Sequence, residues 1–124
     1  LTFQKLFDIG VYPSLFAFTP IEGTDFGKLP PPEISSYRRL QLAHYLITSG
    51  IKGYEEFLFE EGKIIYDEED FSNLKQDIFI TRGCPSCDRP FYNESPKGPI
   101  YNFPDVKMIS LSKMKIDFLN HKIY

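Results

Sequence analysis

A chain of 124 residues with 42% hydrophobic and 16% aromatic content is long enough to bury one core and too apolar to be a disordered tail. Its net charge of −3 and pI near 5.4 give no general attraction to nucleic acid. The sequence contains no apolar run of membrane-spanning length and does not open with a signal-peptide pattern. Two closely spaced cysteines, with none elsewhere to pair with, fit a reducing, cytoplasmic compartment. The text opens at Leu1 inside what reads as a helix, the expectation for a fragment, a processed product or one part of a larger assembly.

In chain order, Leu1, Phe3, Leu6, Phe7 and Ile9 predict a helix closed by Gly10, since glycine takes the left-handed C-terminal position at no steric cost. Val11 to Phe18 reads as a short buried strand, and Thr19 to Thr24 as the loop at its carboxyl end, where α/β folds hold ligands. After Pro30-Pro31-Pro32, the apolar positions Ile34, Tyr37, Leu40, Ala43 and Ile47 predict a second helix, with Ser35 or Ser36 as cap and Gly50 as stop. Arg38 and Arg39 oppose the helix dipole in its first turns, so a solvated face or an anionic partner is expected for them. His44 reads as an ordinary helix residue.

From Gly53 to Asp77 nine carboxylates face only Lys63 and Lys75, so this segment is net −7 of a whole-chain −3 and the remainder is net +4. Glu55–Phe59 and Lys63–Tyr66 around Glu61-Gly62 predict a β-hairpin, and the carboxylates a solvated acidic face. Short strands are expected at Ile78–Thr81 and Ile100–Phe103. The tail from Asp105 places Leu111, Met114 and Phe118 at helical spacing behind Ser110. The division expected is 1–52, 53–104 and 105–124. The sequence holds no internal repeat, phosphate-binding loop or dinucleotide fingerprint.

The chain's only cysteines, Cys84 and Cys87, lie in Gly83-Cys84-Pro85-Ser86-Cys87, where a tight turn can aim both sulfurs at one metal. Arg82 and Arg89 would lower the thiol pKa. A closed zinc site or a cubane cluster needs further ligands, and His44 and His121 do not lie at finger or ribbon spacing. The rest of the set then falls to carboxylates, a hydroxyl, a cofactor or another polypeptide. A zinc-knuckle interaction module and a thiol–disulfide protein are the alternatives, though Pro90 disfavours the helix that a thioredoxin-like motif opens.

Two segments carry a resemblance. Val11-Tyr12-Pro13-Ser14-Leu15-Phe16-Ala17-Phe18-Thr19-Pro20-Ile21-Glu22-Gly23-Thr24, followed by Tyr37-Arg38-Arg39-Leu40, resembles the late barrel strand and helix of biotin-synthase-like and lipoyl-synthase-like radical S-adenosylmethionine proteins. The run from Gly83 to Glu94, with Gly98 to Pro104, is similar to a C-terminal extension of such proteins, including those near the two-subunit archaeal type of lipoyl synthase. The resemblance implies an α/β fold, the C-terminal portion of a partial (β/α) barrel followed by a small β-rich Cys-x-x-Cys extension. It also implies a 4Fe-4S cluster and S-adenosylmethionine, cleaved to a 5′-deoxyadenosyl radical in the complete enzyme. Thr19, Pro20 and Ile21 would lie beside the adenosyl ligand. Cys84 and Cys87 would hold an auxiliary cluster or a structural metal, with zinc as the alternative. Ser35 and Ser36 invite comparison with the hydroxyl ligand of lipoyl synthases, but capping explains them. The Cys-x-x-x-Cys-x-x-Cys motif and the first half of the barrel are absent, so activity is expected only with a missing N-terminal barrel half or partner subunit.

Overall fold

The computed structural model describes residues 1–72, 75–80 and 101–102. They form α1 (Thr2–Asp8), α2 (Ile34–Thr48), a 3₁₀ turn Tyr54–Glu56, β1 (Leu58–Glu60), β2 (Lys63–Ile65), α3 (Glu68–Ser72) and a second 3₁₀ turn Gln76–Phe79.

Both longer helices end as their glycines predict. Gly10 (φ 81°) and Gly50 (φ 71°) adopt the left-handed conformation. The N–H groups of Gly10 and Val11 donate to Phe7 and Leu6, and those of Gly50 and Ile51 to Ile47 and Leu46, so each end closes as a Schellman motif. The start of α2 departs from expectation. Glu33, with extended backbone and no side-chain cap bond, stands at the N-cap position, and Ser35 and Ser36 fall inside the first turn. Glu33 is still extended at ψ 138°, so helical backbone begins directly after it, at Ile34.

Packing is organised around α2. Leu42 and Leu46 are fully buried and, with Ala43 and Ile47, meet Phe57, Tyr66, Phe71, Ile78 and Phe79 in the main core. At about 1.5–3 kcal/mol per fully buried large apolar side chain, this cluster is the principal source of stability. A second cluster joins Tyr37 to Ala17 and Tyr101. Arg38 and Arg39 are buried too, at 4% and 6% exposure, which corrects the solvated-face reading. Their guanidinium groups satisfy backbone carbonyls brought from far along the chain: Arg38 donates to Tyr101, and Arg39 to Ile64 at 2.5 Å.

The hairpin forms as expected but shorter, because residues 54–56 turn as 3₁₀ before the first strand. Leu58, Phe59 and Glu60 pair with Ile65, Ile64 and Lys63. Glu61 (φ 51°) and Gly62 (φ 77°) form the two-residue turn with both φ values positive, the twist a tight hairpin requires. This antiparallel pair is the sheet among the described residues.

The strand expected at 11–18 is corrected, and the other two depart from expectation where their residues are described. Residues 11–18 are irregular, and their carbonyls accept from side chains of α2 rather than from a ladder: Pro13 from His44, and Leu15 from Tyr37. Residues 76–79 are a 3₁₀ turn, which lets Ile78 and Phe79 both enter the core where a strand would send them to opposite faces. Of the strand expected at Ile100–Phe103, Tyr101 and Asn102 are described and lie in a bend, while Ile100 and Phe103 lie outside the described residues. The helix expected beyond Asp105 lies outside the described residues. No helix among the described residues is long and apolar enough to cross a membrane.

Candidate functional site

The loop singled out from the sequence sits at the surface. Thr19 is exposed, Pro20 half-buried, and Ile21 is 63% exposed. The Ile21 carbonyl accepts both the Thr24 backbone N–H (3.2 Å) and the Thr24 hydroxyl (2.6 Å), with Gly23 at φ 85° turning the chain between them. Gly27 closes the next turn by donating to Thr24 at 3.1 Å. A Cβ on Gly27 would stand 2.3 Å from the Ile21 carbonyl oxygen, so only glycine permits this close approach.

The stretch is fastened at both ends, to α2 at the first and to Tyr101 at the second. His44 Nε2 lies 2.5 Å from the Pro13 carbonyl; a carbonyl only accepts, so that nitrogen carries the proton. Phe3 and Tyr12 pack T-shaped with the same imidazole, centroids at 5.3 and 5.4 Å. His44 is thus an interior packing residue, as its sequence context suggested. At the far end, the Tyr101 hydroxyl donates to Pro32 at 2.5 Å. Between these anchors the turn carrying Ile21 and Phe26 projects into solvent.

Behind it runs a buried polar relay. Arg38 donates to Gln41 Oε1 (2.6 Å) and lies over the Phe79 ring. Gln41 Nε2 donates to Asn102 Oδ1 and to the Tyr101 carbonyl, each at 3.1 Å. Asn102 Nδ2 donates to the Tyr37 hydroxyl at 2.9 Å, and Tyr37 donates to the Leu15 carbonyl at 3.0 Å. A cavity of about 20 Å³ lies beside it, lined by Ser14, Gln41, His44 and Asn102 among others, with room for about one water. Sequence reasoning missed this relay. Tyr37 and Gln41 share one face of α2 at i, i+4, but their partners are more than sixty positions away.

Among the described residues the acidic segment is solvated, with one exception. Asp70 is buried and pairs with Lys52 Nζ at 3.1 Å. It also exchanges reciprocal bonds with Asp67: Asp70 N–H to Asp67 Oδ1 at 2.8 Å, and Asp67 N–H to Asp70 Oδ2 at 3.0 Å. Asp67 is thus the N-cap of α3 and Asp70 the third helical residue that reaches back to it, a reciprocal capping box that takes Asp70 off the exposed face. The backbone N–H of Asp70 holds the Asp67 carboxyl below the ordinary range, aided by nearby Lys52. Burial pushes the Tyr66 hydroxyl well above its ordinary value, and burial likewise lowers Arg39.

Cys84, Cys87, Arg82, Arg89 and His121 lie outside the described residues. Among the described residues, no group of three or more His, Cys, Asp or Glu side chains is placed to hold a metal ion. No protein-family model, curated protein or solved structure matches this chain.

Proposed function

We propose that this chain is the C-terminal part of an iron–sulfur radical S-adenosylmethionine enzyme of the biotin-synthase-like and lipoyl-synthase-like group, with sulfur insertion as its reaction class. Beside the sequence resemblance, one observation supports the reading: Val11, Tyr12, Phe16, Phe18, Ile21, Phe26 and Leu29 are all more than 40% exposed within a single stretch. Dense apolar exposure of this kind marks a surface that another element covers. A barrel half, or a partner subunit carrying the three-cysteine motif that this chain lacks, is the covering element in this reading.

The loop residues fit an adenosyl ligand in kind. Pro20 and Ile21 offer apolar surface for a base to pack on, while the Ile21 carbonyl is already occupied by Thr24. Ligand contact would therefore come from the Pro20 and Ile21 side chains and from Thr19. Cys84 and Cys87 would supply two thiolates to an auxiliary cluster, the remaining ligands coming from outside the pair. When bound, the cluster and S-adenosylmethionine supply one-electron cleavage chemistry; this chain would position the ligand and exclude water from it.

The test is anaerobic reconstitution with iron and sulfide in the presence of the barrel part, comparing the parent with a Cys84→Ala/Cys87→Ala variant. The parent should hold more iron and sulfide, with stronger visible charge-transfer absorption. Equal iron and zinc in both would overturn the metal assignment, and extra zinc without that absorption would favour a structural knuckle.

A further inference from the structure

A second surface lies away from the loop. An apolar groove of about 240 Å³ runs between α1, α2 and the hairpin, floored by Phe3, Ala43, Ile47, Phe57 and Ile64. Leu40 and Phe59, 42% and 51% exposed, stand on its sides. The groove shares Leu1 and Tyr54 with an open polar trough of about 490 Å³ that adds Gln4, Lys5, Asp8, Glu55 and Glu56. An apolar floor is thus continuous with a rim whose carboxylates outnumber Lys5.

We propose that this groove receives one amphipathic helix of a protein partner, apolar on one face and rich in lysine or arginine on the other. Charge complementarity selects the occupant: cationic side chains beside an apolar seam would meet Asp8, Glu55 and Glu56. The same rim disfavours a second copy of this chain, because two such faces would bring like charges together. A small ligand is disfavoured by shape, since the apolar part is smaller than an ordinary ligand pocket and opens along its length into the trough. Leu40 fits the role of contact residue: it interrupts an otherwise buried run of α2, from Tyr37 to His44, with an exposed apolar side chain. This inference does not depend on the iron–sulfur reading.

The experiment is fluorescence anisotropy of a labelled leucine/lysine peptide of about 18 residues, leucines at i, i+3, i+4 and i+7, titrated with the full chain. Saturable binding is expected, weakened about tenfold by Leu40→Gln/Phe59→Thr and clearly by Glu55→Lys. A scrambled peptide of equal composition and a leucine/glutamate peptide should bind far more weakly. Circular dichroism of each variant identifies any that fails to fold, in which case the peptide controls and Glu55→Lys decide. Equal binding of the scrambled peptide, or no loss in the folded variants, overturns the proposal. So does a dimer in sedimentation equilibrium that Leu40→Gln dissociates, which would give the groove to a second copy.

Discussion

Tyr37 and Asn102, 65 positions apart, meet in the interior, where the amide of Asn102 donates to the Tyr37 hydroxyl at 2.9 Å and that hydroxyl donates onward to Leu15. The pair joins the first and last described parts of the chain to the same helix. Removing the hydroxyl leaves a buried amide and a carbonyl short of partners. Tyr37→Phe should therefore cost about 1–3 kcal/mol in urea denaturation. In a cycle with Asn102→Ala the two losses should be non-additive by about 0.5 kcal/mol or more, and simple additivity would show that the bond does not couple them.

Two glycines should respond differently to alanine. At Gly50 an added Cβ meets nothing within 4 Å, so Gly50→Ala bears only the left-handed backbone penalty of about 1–2 kcal/mol. At Gly27 the Cβ collides with the Ile21 carbonyl, so Gly27→Ala must open the loop. In the proposed enzyme, Gly27→Ala should weaken S-adenosylmethionine binding, read by equilibrium dialysis, while Gly50→Ala should lower stability and leave binding unchanged. Unchanged binding in Gly27→Ala would remove the loop from the ligand site.

Alkaline titration tests Tyr66. Its folded-state pKa is raised by burial, so the neutral hydroxyl stabilises the fold fully below the ordinary tyrosine value of about 10 and the contribution declines as pH rises above it. Ultraviolet titration should show a late tyrosine step that coincides with unfolding, and Tyr66→Phe should reduce that step by one tyrosine. A Tyr66 that ionises with the exposed tyrosines would contradict its burial.

On the acid side the sign reverses. Asp67 has a lowered folded-state pKa, so its contribution is present above the ordinary aspartate value of about 4 and disappears as pH falls through the lowered one. Asp67→Asn, which keeps an acceptor for the Asp70 N–H, should flatten the fall of the urea midpoint with acid while changing neutral stability little. An unchanged acid slope would assign that fall to other carboxylates.

The legible features were those fixed by local backbone chemistry. Gly10 and Gly50 announced helix ends, and Glu61-Gly62 a hairpin turn, because positive φ restricts which residues can stand there. Residues 11–18 misled because a short apolar run looks the same whether it pairs in a ladder or hangs from side chains of a neighbouring helix. Arg38 and Arg39 misled for a related reason. Two adjacent cations on a helix read as solvated unless one knows that the carbonyls of Tyr101 and Ile64 arrive beside them. Of the candidate site, Thr19, Pro20 and Ile21 were legible as a loop, whereas its attachment through His44 and Tyr37 depends on contacts between remote positions.

The double attachment of that loop has a topological consequence. The bonds that hold it, from α2 to Pro13 and Leu15 and from Tyr101 to Pro32, lie outside the turn itself. A protease cutting between Asp25 and Phe26 would leave each of them in place, and the exposed turn is the kind of site where nicking occurs. Covalent continuity and noncovalent assembly are separable at this point. The two pieces meet through His44 with Pro13 and Tyr37 with Leu15, so they are expected to stay associated after the cut.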